Sequence, residues 1–203
     1  MRAPVKLYLA SSNPGKLAEF RELARADAAG VVLDLGSLPG FGSLPEFEEI
    51  APTFAENAAG KALHYSRLSQ GFVFADDSGL VVPALGGAPG VHSARYAGPH
   101  ASSAERNAKL LEALRHKGGV ERRAYFVCAI ALASEGRVHA IVSARVNGEI
   151  LQAPRGSGGF GYDPVFYFPP LHKSFAEISR AEKNQFSHRG QAFRKLLHFV
   201  AGM

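Results

Sequence analysis

Short apolar runs alternate with amphipathic helical patterns over most of this chain, and that alternation restricts the folds it can adopt. Residues 7–10 form an apolar run typical of a strand, and apolar residues then recur at helical spacing over residues 16–26. A second strand is predicted at 31–33, followed by a Gly- and Pro-rich loop at 36–52. A capping-box pattern at Thr53 predicts a helix to about residue 68.

The same alternation continues along the rest of the chain. The further predicted elements are a strand at 72–75, a helix from the cap Ser102 to about Arg115, a hairpin at 125–133 and 139–146, and a helix at 188–200. Strands that alternate with helices favour an α/β fold, and the hairpin makes the sheet mixed rather than purely parallel. We expect a central mixed, twisted sheet flanked by helices, in two lobes with the active site in the cleft between them.

Charge and cysteine content narrow the function only slightly. The 203 residues carry a formal net charge of +5, which suits an anionic partner but does not separate a nucleotide from a nucleic acid. The single cysteine, Cys128, lies in an apolar run, so it is interpreted as a buried strand residue of a protein in a reducing compartment. No segment approaches membrane-spanning length, and we expect a cytoplasmic location.

Residues 11–16, Ser-Ser-Asn-Pro-Gly-Lys, lie between a predicted strand and a predicted helix. Free backbone N–H groups and the helix dipole favour an anion at such a position, and Lys16 adds a positive charge. The spacing is not that of a P-loop. An ordinary helix cap with a solvated lysine is the structural alternative.

The pair Asp76 and Asp77 follows the predicted strand 72–75. Adjacent carboxylates are costly unless something neutralises them, and a hard cation bound through oxygen does so. Neighbouring side chains of a strand-like segment point to opposite faces, so we expect the two aspartates to have different roles. Gly79 would permit a sharp turn after them, and an Asx-type turn without a metal is the alternative.

An acidic patch, Glu46, Glu48 and Glu49, lies in the loop at 36–52. A carboxylate there would complete a Mg2+ site with an aspartate and phosphate oxygens, because Mg2+ takes few protein ligands and keeps several waters. A solvated acidic loop is the alternative interpretation.

Two later segments are suited to binding a nucleotide. In the Gly-rich segment 156–164, glycines allow close approach of the backbone to a ligand, and Phe160 or Tyr162 is suited to stacking on a base. The alternative is a turn whose aromatic rings lie in the core. Residues 183–190 gather a Lys, a His and an Arg at the start of the last helix, where the dipole disfavours positive charge and a functional reason is therefore expected.

Taken in order, these segments resemble the inosine triphosphate pyrophosphatase family, the non-canonical purine nucleoside triphosphate pyrophosphatases, in its bacterial branch. Each pattern is weak alone, but the ordered set is specific and spans nearly the whole chain. The matching segments are residues 12–16, 53–58, 75–80, 86–90, 93–96, 159–164 and 187–190.

The resemblance implies hydrolysis of ITP, dITP or XTP to the monophosphate and pyrophosphate. It implies Mg2+ as cofactor, a homodimer, one domain over residues 1–203, and no nucleic-acid or membrane partner. Asp77 is implied to be the proton acceptor and a metal ligand, and Glu49 the second metal carboxylate, with Glu48 adjacent to it. The implied substrate contacts are Ser11, Ser12, Asn13, Pro14, Gly15, Lys16, Ser78, Phe160, Gly161, Tyr162, Asp163, Lys183, His188 and Arg189.

Base choice and the competing functions follow from the same residues. Donors on His188 and Arg189 would pair with the O6 acceptor of hypoxanthine or xanthine, where adenine carries an amino group. Arg95 is a further candidate phosphate contact.

The alternatives are a septum-inhibitor-type nucleotide pyrophosphatase, a nucleotide- or RNA-binding module without catalysis, and a structural protein. The segment 187–189 argues against the first, and the ordered motifs argue against the last.

Overall fold

The computed structural model describes residues 4–26 and 32–203. Within them, the strands are β1 (Val5–Leu9), β2 (Leu33–Ser37), β3 (Phe72–Val81), β4 (Arg123–Ser134), β5 (Arg137–Ile150), β6 (Phe166–Phe168) and β7 (Lys173–Ser174). The α-helices are α1 (Pro14–Ala26), α2 (Phe54–Ser66), α3 (Ser103–Ala113), α4 (Arg180–Phe186) and α5 (His188–Ala201).

The strands form one mixed sheet in the order β2-β1-β3-β4-β5-β6-β7. β1 pairs in parallel with β2 and with β3, whereas β6 pairs antiparallel with β5 and with β7. The predicted α/β class, with a mixed sheet flanked by helices, is confirmed. That the active site lies in a cleft between two lobes, and that residues 1–203 form one domain, stay predictions.

Two strand predictions are wrong in their bounds. The strand predicted at 31–33 begins at Leu33 and continues to Ser37, and Val31 lies outside the described residues. The strand predicted at 72–75 does not break at the aspartates but runs on to Val81, so Gly79 is a strand residue and makes no sharp turn. The strand tolerates both carboxylates because each finds polar partners on its own face of the sheet, as described below.

The chain divides into two compact units, and the first comprises Met1–Asp77, Cys128–Ala144 and His188–Met203. Alternate residues of its strands enter two different cores. On one face Phe74 packs with Phe20 of α1 and Phe193 of α5, all fully buried. On the other face small residues such as Ala75 let α2 pack closely through its own alanines. This unit is therefore a helix–sheet–helix sandwich, which aims neighbouring strand residues at different helices.

The second unit comprises Ser78–Val127 and Arg145–Ser187. Its core gathers aromatic rings from the strands and the loops beside them, including Phe126, Phe166 and Phe175, together with Leu110 of α3. The helix α3 begins with a complete capping box between Ser102 and Glu105, as the sequence predicted. Among the residues that the structure describes, no helix is long and apolar enough to span a membrane.

Candidate active site

The loop between β1 and α1 is organised by Asn13. Its side-chain oxygen accepts hydrogen bonds from the backbone N–H groups of Gly15 (2.9 Å) and Lys16 (3.4 Å), while Ser11 Oγ accepts one from Asn13 N–H (3.2 Å). Asn13 therefore caps α1, which begins at Pro14 rather than at Lys16. The N–H groups of Gly15 and Lys16, which were predicted to be free for an anion, are therefore already paired. The side chain of Lys16 extends to Asp76 of β3. The side chain of Pro14 lies outside the described part of the structure.

The alternation of β3 separates its two aspartates. Asp76 lies on the face of Phe74, toward α1 and α5, and Asp77 lies on the face of Ala75, toward α2. Both are buried, with exposed fractions of 0% and 7%. The two aspartates therefore have different environments, and the predicted difference in their roles stays a prediction.

Asp76 is held by cations from two helices. Lys16 Nζ donates to its Oδ1 at 2.9 Å, and Arg189 Nε lies 3.5 Å from its Oδ2. Arg189 is itself buried and donates from Nη1 to Glu19 of α1 at 2.7 Å. Burial alone would raise the pKa of Asp76, but the charges of Lys16 and then Arg189 outweigh it and hold that pKa well below its usual range. Asp76 is therefore ionised at neutral pH and anchors the side chain of Lys16.

Asp77 has the opposite electrostatic environment. Burial, and next the negative charge of Glu49, raise its pKa from 3.8 to about 6. Asn57 Nδ2 donates to its Oδ2 at 3.1 Å and limits the rise. A carboxylate that is ionised at pH 7 yet more basic than an ordinary aspartate is suited to accept a proton from water.

The acidic loop contributes Glu49, and its partner is Lys61 of α2. Glu46 and Glu48 are exposed, whereas Glu49 is half-buried and forms an ion pair with Lys61 Nζ. Burial opposes the charge of Lys61, but the carboxylates of Asp76 and then Glu49 outweigh it and raise its pKa. The sequence analysis missed Lys61, because in sequence it is one lysine within a helical pattern, and only folding surrounds it with carboxylates.

Glu49 and Asp77 form a donor set that fits Mg2+. Both are hard carboxylate ligands, and the charge of Glu49 helps raise the pKa of Asp77, a repulsion that a divalent cation would relieve. No cluster of three or more His, Cys, Asp or Glu side chains suited to a metal occurs in residues 4–26 and 32–203. A site with two protein carboxylates suits Mg2+ bound also by substrate phosphate and water.

Three of the predicted substrate contacts, Phe160, Asp163 and Lys183, form a second group in the second unit, and Lys183 lies on α4 rather than at the start of the last helix. Asp163 Oδ2 accepts hydrogen bonds from Phe160 N–H at 2.8 Å and from Lys183 Nζ. Lys183 Nζ also lies 4.6 Å from the centre of the Phe160 ring, and that ring is 52% exposed. The structure therefore brings together an accessible aromatic ring, a buried lysine and a buried carboxylate, and Phe160 is the ring suited to stacking on a base.

Tyr162 lies in the core of the same unit. Its side chain is 4% exposed, and its hydroxyl donates to the carbonyl oxygen of Ser93 at 2.9 Å. Burial raises the pKa of this hydroxyl. The neighbouring Gly161 carbonyl accepts from Asn107 Nδ2 at 3.1 Å. Of the two aromatic residues considered for stacking, Tyr162 therefore lies in the core, and Phe160 is the exposed one.

The remaining predicted site residues lie on β3 and at the start of α5. Ser78 follows Asp77 in β3 and is half-buried. His188 begins α5 and is 6% exposed, and Arg189 follows it in the buried pair with Glu19. Cys128 is buried, and burial raises the pKa of its thiol, as expected of an inert strand residue.

This chain is similar to known proteins of the Ham1 family. The profile of the Ham1 family matches residues 7–199. A dITP/XTP pyrophosphatase from Geobacillus kaustophilus is 49% identical over 191 residues, which cover 94% of this chain and 92% of the relative. Another from Gloeobacter violaceus is 50% identical over 193 residues, with 94% and 92% covered. The solved structure of a HAM1 protein from Coxiella burnetii is 42% identical, with a TM-score of 0.88 and 98% and 100% of the two chains covered.

Proposed function

The chain belongs to the Ham1 family, and from that premise we propose that it hydrolyses non-canonical purine nucleoside triphosphates such as dITP, XTP and ITP. The products are the nucleoside monophosphate and pyrophosphate. The observation that carries this proposal is Asp77, a buried carboxylate whose pKa is raised to about 6 beside Glu49 and two lysines. That arrangement combines a general base with charges suited to a polyphosphate.

Asp77 acts on the attacking water. Water must attack the α-phosphorus while pyrophosphate leaves, and the base has to be ionised at neutral pH yet able to hold a proton. The raised pKa of Asp77 meets both requirements. Asn57 occupies Asp77 Oδ2, which leaves Oδ1 for water or metal.

Lys16 and Lys61 act on the phosphates. Lys16 forms an ion pair with Asp76 and Lys61 forms one with Glu49, and both lysines lie in the first unit with Asp77. Positive groups that are fixed before the reaction stabilise charge as it develops on the leaving pyrophosphate. Mg2+ held by Glu49 and Asp77 would add Lewis-acid activation and further charge neutralisation when bound.

Base stacking is assigned to Phe160, whose ring lies beside Lys183. Stacking on the exposed Phe160 ring tolerates any purine. Donors from His188 and Arg189 would select bases with an acceptor at position 6 and leave adenine unpaired. We further propose that the protein works as a homodimer in the cytoplasm, on free nucleotides rather than nucleic acid.

One assay tests the proposed function. Purified protein with Mg2+ is given dITP, XTP, ITP, GTP and ATP, and pyrophosphate and orthophosphate are measured separately. We expect pyrophosphate from the first three, with kcat/KM at least about tenfold above that for ATP, because leaving a buried donor unpaired costs about 1–3 kcal/mol. Asp77→Asn is the inactive control. Equal hydrolysis of ATP and dITP would contradict the specificity, and orthophosphate as first product would contradict the reaction.

A further inference from the structure

Asn57 of α2 uses its whole side-chain amide to join two separate parts of the first unit. Its Oδ1 accepts a hydrogen bond from Ala51 N–H at 2.9 Å, and its Nδ2 donates to the Ala51 carbonyl oxygen at 3.2 Å. The same Nδ2 donates to Asp77 Oδ2 at 3.1 Å. The side chain is 1% exposed, so these bonds are made away from water.

The backbone of Ala51 fixes which end of the amide faces Asp77. A backbone N–H requires an acceptor and a backbone C=O requires a donor, so the two bonds to Ala51 allow one orientation of the Asn57 amide. In that orientation the second hydrogen of Nδ2 points to Asp77 Oδ2. Asn57 is thus obliged to donate to this carboxylate.

The loop that Asn57 holds is the one that carries Glu49. On the other side of Glu49, Phe47 N–H donates to the hydroxyl of Tyr65, also on α2, at 3.3 Å. Glu49 therefore lies between two points at which α2 binds the loop backbone. Of these two points, the one at Ala51 is also connected to Asp77, because the same Asn57 side chain bonds to both residues.

We propose that Asn57 is a positioning residue. It holds Asp77 and the Glu49 loop at the separation that lets both bind one divalent cation, and this inference rests on the proposed function. Asn57 donates to Asp77 Oδ2 and binds the backbone of Ala51, two residues after Glu49. A single residue of α2 therefore fixes the positions of both proposed metal ligands. Partners that orient metal ligands in this way affect metal affinity strongly without binding the metal themselves.

The experiment compares Asn57→Ala with Thr53→Ala. Thr53 caps the same helix by accepting from Glu56 N–H at 3.2 Å, so its loss weakens α2 without removing a bond to Asp77 or Ala51. Mn2+ affinity is measured by electron paramagnetic resonance in the presence of α,β-methylene-dITP, which cannot be cleaved. Turnover of dITP and thermal unfolding are measured alongside.

Asn57→Ala is expected to weaken Mn2+ binding by about tenfold to a hundredfold and to lower kcat, with KM for dITP within about twofold. Thr53→Ala should lower the unfolding temperature and leave Mn2+ affinity unchanged. Unchanged Mn2+ affinity in folded Asn57→Ala, or an equal loss in Thr53→Ala, would overturn the inference. If Asn57→Ala does not fold, Asn57→Ser is measured against the same criteria. Wild-type protein that releases no pyrophosphate from dITP would instead contradict the proposed function.

Discussion

Asp77→Asn is expected to abolish turnover and, at the same time, to stabilise the metal-free protein at pH 8. The pKa of Asp77 rises from 3.8 to about 6 on folding, since burial and the charge of Glu49 oppose its ionisation. Each pKa unit corresponds to ~1.4 kcal/mol, so ionised Asp77 destabilises the folded state by about 3 kcal/mol. Asparagine removes the charge, and its side-chain oxygen is still able to accept from Asn57.

The stability that Asp77→Asn gains over wild type should increase as pH rises. Between about pH 4 and pH 6 the folded state keeps the Asp77 proton while the unfolded state has lost it, so wild-type stability falls as pH rises through this window. Above it the full penalty applies, and below it the penalty is absent. The advantage of Asp77→Asn over wild type should therefore be largest at pH 7–8 and vanish near pH 4.

Asp76→Asn is the matched control, because it makes the same chemical change at the neighbouring residue. The pKa of Asp76 is held low by Lys16 and Arg189, so its charge stabilises the folded state above the unfolded pKa and is lost as pH falls through the folded pKa. Removing it leaves buried cations without this partner, which costs about 3–5 kcal/mol. Urea unfolding in EDTA at pH 8 should move in opposite directions for the two variants. If Asp77→Asn and Asp76→Asn are destabilised by similar amounts, the opposite pKa shifts of the two aspartates are wrong.

Three further changes test other parts of the structure. In Gly60→Ala the new Cβ would lie 2.6 Å from the ring of Phe47. Overpacking of about 1–3 kcal/mol against ~1 kcal/mol gained in helix propensity leaves a net loss of about 0–2 kcal/mol in urea unfolding. Displacement of Phe47, two residues before Glu49, should also raise half-saturating Mg2+, and an unchanged Mg2+ requirement would contradict this. Lys183→Met leaves the buried Asp163 without its cation, so the free energy of unfolding should fall by about 3–5 kcal/mol and KM for dITP should rise; urea unfolding and steady-state kinetics decide it. Cys128 should not react with iodoacetamide at pH 8 until the protein is unfolded, and labelling of the native protein by mass spectrometry would be the contrary result.

The sequence predicted the fold class and most elements, because hydrophobic periodicity and helix caps are local signals. The capped helices from Thr53 and Ser102, the hairpin and the last helix all form as predicted. Strand β3 was predicted too short because charged residues in a strand look like its end. What keeps Asp76 within the strand is Lys16, which is 60 residues away in sequence, and no local pattern contains that information.

The candidate site was predicted as a set of residues but not as a set of interactions. Ordered motifs located Asp77 and Glu49, yet nothing in the sequence assigned Lys61 to Glu49 or Asn57 to Asp77. Both partners lie on one face of α2 four residues apart, a spacing that is equally typical of an ordinary buried helix face. Their role became visible only when β3 and the acidic loop were placed against that face.

In the proposed reaction a water molecule attacks the α-phosphorus of a non-canonical purine nucleoside triphosphate. Hydrolysis of dITP in water enriched in oxygen-18, followed by mass spectrometry of both products, tests this point of attack directly. We expect one labelled oxygen in the monophosphate and none in the pyrophosphate. Label in pyrophosphate, or in released orthophosphate, would show attack at another phosphorus and rule out the proposed reaction.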